Sequence, residues 1–91
     1  MEPVAFVEEF NYRDFSELGN KWTYYDGQFK SDSKHGKGYI KLTNGEMFEG
    51  LFDHDMIEGN GIFYKRSGEI IIGFWIDNKL FLNQSYEDEQ K

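Results

Sequence analysis

Tyr25-Asp26-Gly27-Gln28-Phe29 returns as Phe48-Glu49-Gly50-Leu51-Phe52 and again as Ile71-Ile72-Gly73-Phe74-Trp75. His35-Gly36-Lys37-Gly38 and Asn44-Gly45-Glu46 separate the first two copies. Glu58-Gly59-Asn60-Gly61 and Ser67-Gly68-Glu69 separate the second from the third. Tyr25 to Phe48, Gly36 to Gly59, Gly38 to Gly61, Gly45 to Gly68 and Gly50 to Gly73 all span 23 positions. A fixed period carried by glycines and aromatic residues marks supersecondary units stacked side by side.

Within a unit the residues alternate as strands require. Tyr25, Gly27 and Phe29 share one parity and so one face, with Gln28 and Lys30 on the other. After a loop at Ser31-Asp32-Ser33-Lys34, the return strand sets Gly36, Gly38, Ile40 and Leu42 on one side. Asn44-Gly45 then supplies the positive φ of a tight turn. The second unit repeats this with Phe48, Gly50 and Phe52, a loop at Asp53-His54-Asp55-Met56, then Gly59, Gly61 and Phe63, and a turn at Arg66-Ser67-Gly68-Glu69. Stacked hairpins bring equivalent residues into columns: Tyr25, Phe48 and Ile71; Phe29, Phe52 and Trp75; Ile40 and Phe63. Glycine beside each ring leaves it room to lie down and lets the sheet bend. The fold expected is all-β: a single-layer curved antiparallel meander of hairpin repeats with short irregular or capping terminal segments.

Outside the repeat the pattern weakens. Residues 1–20 read as an N-terminal extension or edge cover, with Phe6, Glu8 and Phe10 forming a degenerate strand. Asp14 to Leu18, closed by Gly19, reads as one helical turn or as loop. Residues 21–82 form the repeat sheet. The third unit stops early, because Leu82 and Gln84 stand where the paired glycines belong. Asp77 to Leu82 is a terminating strand or helical turn, and residues 83–91 are an acidic polar tail.

Tyr-x-Gly-x-Phe, then x-Gly-x-Gly, then Asn-Gly at this period resembles the MORN (membrane occupation and recognition nexus) repeat. The likeness covers about residues 24–76, as two full units and a half unit. It implies a non-catalytic adaptor or structural subunit, because such repeats occur in proteins of cilia, flagella and cytoskeleton and beside unrelated catalytic domains. It also implies a groove that receives a partner's helix or extended segment. In this chain Tyr25, Phe29, Ile40, Phe48, Phe52, Phe63 and Trp75 would line that groove. Gly27, Gly36, Gly38, Gly45, Gly50, Gly59, Gly61, Gly68 and Gly73 are the repeat glycines. A cytoplasmic protein in a ciliary, axonemal or other cytoskeletal complex is the setting implied.

Composition narrows the function. Two tryptophans, six tyrosines and nine phenylalanines give a 91-residue chain enough ring area for a core. The absence of cysteine excludes disulfides and thiolate metal sites. The longest apolar run, Ile70-Ile71-Ile72, is too short for a membrane helix, and Met1-Glu2-Pro3-Val4 lacks the basic start of a secretory signal. A net charge of −7 disfavours nucleic acid and anionic lipid, and favours neutral or basic protein surface.

Sharper chemical readings fail on spacing. Gly36-Lys37-Gly38 lacks the rest of a phosphate loop and leads into a strand, Tyr39-Ile40-Lys41-Leu42. Asp53-His54-Asp55 taken as a calcium loop puts Glu58 where glycine belongs and Tyr64 where the bidentate glutamate belongs. His35 and His54 fall in loops or at loop edges with no accompanying nucleophile motif, so neither an enzyme nor a cofactor or metal site is expected.

A single sheet needs a second layer. Either residues 1–20 or 77–91 cross the aromatic face, or a partner does, and the expectation favours the partner. Open strand edges add a route to another protein or to homo-oligomers. The alternative, from another class, is a peripheral phosphoinositide-binding module using Lys30, Lys34, Lys37 and Lys41.

Overall fold

The computed structural model describes residues 8–85. Six antiparallel strands follow one another across a single sheet in chain order: β1 (Trp22–Lys30), β2 (Ser33–Leu42), β3 (Met47–Asp53), β4 (Met56–Tyr64), β5 (Ile70–Ile76) and β6 (Lys79–Asn83). This is the single-layer hairpin meander expected from the repeat. The segment after the third unit takes the strand option, as β6.

Two kinds of turn alternate along it. Ser31-Asp32, His54-Asp55 and Asp77-Asn78 are two-residue turns with both residues at positive φ, 51° and 67°, 51° and 70°, 49° and 72°. That is the mirror-image turn whose twist matches the flanking strands. The four-residue loops expected at 31–34 and 53–56 are therefore shorter, and Ser33 and Met56 already belong to strands. The other two connections carry Gly45 and Gly68, at φ 93° and 101°, as Asn44-Gly45 and Ser67-Gly68 imply.

Strand register fixes what faces what. Gly27, Gly38, Gly50, Gly61 and Gly73 stand directly opposite one another across β1 to β5. Beside this row runs a second, Tyr25–Ile40–Phe48–Phe63–Ile71. Two of the columns expected from the sequence are thus alternate members of one row. The Tyr25 and Phe48 rings of the second row lie over the first. A Cβ on Gly38 would sit 2.6 Å from Tyr25 Cε1, and one on Gly61 would strike Phe48 Cζ. Glycine is required here by close approach, since neither position has positive φ.

The aromatic face is roofed by the chain itself. Phe15, on a single 3-10 turn (Phe15–Glu17), is 2% exposed. Its ring centroid lies 5.2 Å from Phe48, 5.9 Å from Phe63 and 5.9 Å from Trp75. Phe10 and Tyr12 cover Phe63, and Leu18 joins the same core. The Trp75 indole Nε1 donates to the Tyr12 carbonyl at 2.8 Å. Backbone bonds tie the segment down where β5 turns into β6: Phe15 N–H to Asn78 O at 2.7 Å, and Leu80 N–H to Arg13 O at 2.9 Å.

This corrects the expected division of labour. Ile40, Phe48, Phe52, Phe63 and Trp75 are buried as the molecule's own core, not as the wall of an open groove. The physical reason is the layer requirement already stated: Phe10, Tyr12, Phe15 and Leu18 supply the missing second layer. Among the described residues the N-terminal extension covers a face more than an edge, with Asp14 bridged to Lys79 of β6. Phe6 of the degenerate strand and residues 86–91 of the acidic tail lie outside the described residues.

Candidate interaction surface

The two ends of the sheet are built differently, and hydrogen bonding explains why. Asp55 Oδ1 accepts from Lys34 N–H at 2.7 Å, and Asp55 N–H donates to Lys34 O at 3.0 Å. One period on, Asn78 Oδ1 accepts from Ile57 N–H at 2.8 Å, and Asn78 N–H donates to Ile57 O at 2.9 Å. The second residue of each mirror-image turn thus laces its hairpin to the one before. Asp32 holds the same place in the first hairpin, and among the described residues it has no preceding strand to lace. At the far end Leu80 N–H is taken by Arg13 O. The array is closed at β6 by its own N-terminal segment and, among the described residues, open at β1.

β1 is therefore the edge that faces outward with no strand beside it among the described residues. Its side chains are unusually exposed for rings: Phe29 is 61% and Tyr24 52% accessible. Tyr25 is half-buried, edge-on to Phe29 at 5.0 Å and to Phe52 at 5.3 Å, and its hydroxyl donates to Gln28 O at 2.7 Å. Burial pushes the Tyr25 phenol pKa up, so the hydroxyl stays a donor. Of the seven groove residues read from the sequence, the structure leaves only Tyr25 and Phe29 reachable from solvent, side by side at this end.

Lys34 completes the same corner in a way the repeat conceals. It stands where later units have Ile57 and Leu80, and it is buried. Its ammonium lies 4.2 Å from the centre of the Trp22 ring, 5.6 Å from that of Tyr25, and 3.6 Å from Asp55 Oδ1. Two ring faces and a carboxylate together compensate a buried charge. Lys37 and Lys41 are exposed on the opposite face of β2. The four lysines named for a phosphoinositide site therefore do not share one surface.

Two further features escaped the sequence reading. Glu46 is fully buried, and its carboxylate accepts from Phe10 N–H at 2.8 Å and from Asn44 Nδ2 at 2.7 Å. Asn44 Nδ2 also donates to Glu8 O at 3.0 Å, so this turn is a latch for the N-terminal segment. The equivalent Glu69 is exposed, and its carboxylate meets Lys65 Nζ at 3.4 Å. Identical residues at one repeat position gave no signal of that difference. On the face away from the core, Ile70, Ile72, Phe81 and Leu82 are exposed. The alternation of Ile70, Ile71 and Ile72 was the available clue, since only Ile71 shares parity with the core.

The laced hairpins, the transverse glycine row and the open end define a repeat protein of the stacked-hairpin kind. The chain belongs to the MORN repeat family: the MORN repeat model matches residues 25–47 and 48–70. It is similar, at 32% identity over 80 residues, to the inactive protein tyrosine kinase pTKL of Plasmodium falciparum, a match covering 88% of this chain and 5% of that protein. It is similar, at 33% identity over 75 residues, to alsin of Homo sapiens and, equally, of Mus musculus, covering 75% of this chain and 4% of each. The chain thus spans about a twentieth of the length of these relatives. What is common to them is the MORN repeat, a non-catalytic module.

Proposed function

We propose that this chain is a non-catalytic adaptor or structural module that holds a protein partner along β1. The observation that carries the reading is a nine-residue edge strand bearing exposed Tyr24 and Phe29, with no strand on its outer side among the described residues. An extended segment added there gains backbone bonds from the edge and side-chain area from the two rings. The partner would belong to a larger assembly, and a second copy of this chain is one such partner. The family resemblance suggests a ciliary, axonemal or other cytoskeletal setting in the cytoplasm. Lipid is the weaker reading, because Lys34 is withdrawn into the Trp22–Tyr25 corner.

The test is site-specific photocrosslinking in cells, with a benzoyl-phenylalanine at position 29 and, separately, at position 81. A defined protein adduct at 29 that is absent at 81 and lost on Tyr24→Lys is expected. The same adducts at both positions, or none at 29, would contradict the reading.

A further inference from the structure

The β2–β3 register and the turn after β3 bring together three side chains that the sequence keeps 18 or more positions apart or treats as loop. His35 Nδ1 lies 3.4 Å from Asp53 Oδ1, and His54 Nδ1 lies 2.8 Å from the same oxygen. The two imidazole rings meet edge-on with centroids 5.9 Å apart. One ligand atom from each of the three residues can be chosen so that all lie within 4.8 Å of one another. We propose that His35, Asp53 and His54 bind a divalent transition-metal ion, zinc(II) by ligand type.

The donor set selects the metal. Two imidazoles and one carboxylate suit zinc and its neighbours, whereas calcium and magnesium take oxygen ligands. Zinc–nitrogen and zinc–carboxylate distances near 2.0–2.2 Å put tetrahedral ligands about 3.3 Å apart. The His35–Asp53 separation already matches. The His54–Asp53 separation has to open by about half an ångström, within reach of a side chain on a tetrahedral site's scale. Nothing packs against that movement strongly, since the His54 side chain is 75% exposed. Three protein ligands leave the fourth position for water or for a donor on another molecule.

The backbone beneath the cluster is fixed. His54 sits at φ 51° in a mirror-image turn, and Asp55 beside it is laced to Lys34. One period later the same strand-to-turn contact recurs with different chemistry, as Glu58 Oε1 accepts from Asp77 N–H at 2.9 Å. The repeat therefore places residue 35 beside residue 54 as a matter of geometry, and this unit fills the contact with histidines. Asp53, Asp55 and a net charge of −7 make the surroundings attractive to a cation.

Calorimetric titration of the full chain with zinc chloride tests this, alongside His35→Gln and His54→Asn. Asparagine tolerates the positive φ at position 54, so the turn survives. The expected result is one zinc per chain, a thermal midpoint that rises with zinc, and affinity reduced at least tenfold in each variant with unchanged circular dichroism of the metal-free protein. Imidazole proton shifts in both histidines on adding zinc would accompany binding. No saturable heat, or binding that survives His35→Gln undiminished, overturns the site. Variants that lower metal-free stability while zinc has no effect on the wild type would make the cluster purely structural and overturn it equally.

Discussion

Glu46 and Glu69 occupy one repeat position and do different work, so the residue scale is where the period stops being informative. Glu46 accepts from the part-buried backbone N–H of Phe10 and from the Asn44 amide. Its removal takes the acceptor from the Phe10 N–H, while Asn44 Nδ2 keeps the Glu8 carbonyl, at about 1–3 kcal/mol by the usual penalty for a desolvated donor left unpaired. Glu46→Ala should lower urea-unfolding stability by about 2 kcal/mol, against a change within about 0.5 kcal/mol for exposed Glu69→Ala. Asp14 offers a pH test at the same scale. Hydrogen bonding from Ser16 holds its carboxyl below the ordinary value of 3.8. With the folded pKa depressed, its contribution is present above the unfolded value and lost as pH falls through the folded one. Asp14→Asn keeps the cap but cannot titrate, so its stability should fall less than the wild type's on acidification below about pH 4, measured by tryptophan fluorescence.

At the scale of elements, the glycine row and the mirror-image turns decide the sheet. Gly61→Ala forces a methyl into the Phe48 ring and should destabilise the fold by more than about 1 kcal/mol in urea unfolding, through overpacking rather than propensity. The first turn can be improved. Ser31→Asn with Asp32→Gly suits positive φ at both positions, and should raise stability by about 0.5 kcal/mol in the same measurement. Strands and their pairing were legible because five glycines and their rings recur at one offset. The turn lengths were less so. Ser31-Asp32 and His54-Asp55 lack the Asn-Gly chemistry that advertises a two-residue hairpin, and lacing from Asp55 and Asn78 stabilises them from outside the turn.

On the scale of the whole molecule, the open groove read from the sequence is a core. A single sheet needs its rings covered by a terminus or by a partner, and Phe10, Tyr12, Phe15 and Leu18 follow no period that would announce them as the cover. Of the candidate surface, Tyr25 and Phe29 were named in advance. The importance of Tyr24, Lys34 and the unpaired β1 edge emerged only once the closed end at β6 was visible. One consequence is a reversal for Phe52→Ala with Trp75→Ala, which an open groove would tolerate. Each large-to-small change in a core costs about 3–5 kcal/mol. Against about 5–14 kcal/mol for a domain of this size, the pair should unfold the protein rather than free a partner.

The claim on which the rest turns is that residues 10–18 are permanently part of the core, leaving β1 as the free surface. Hydrogen exchange of the Trp75 indole proton, bonded to the Tyr12 carbonyl inside that core, reads it directly, with the half-buried Trp22 of the edge strand as internal comparison. The Trp75 proton is expected to exchange only as the whole domain unfolds, while that of Trp22 exchanges far sooner. Rapid exchange at Trp75 in a folded protein would mean that the N-terminal segment lifts away and the aromatic face is open after all.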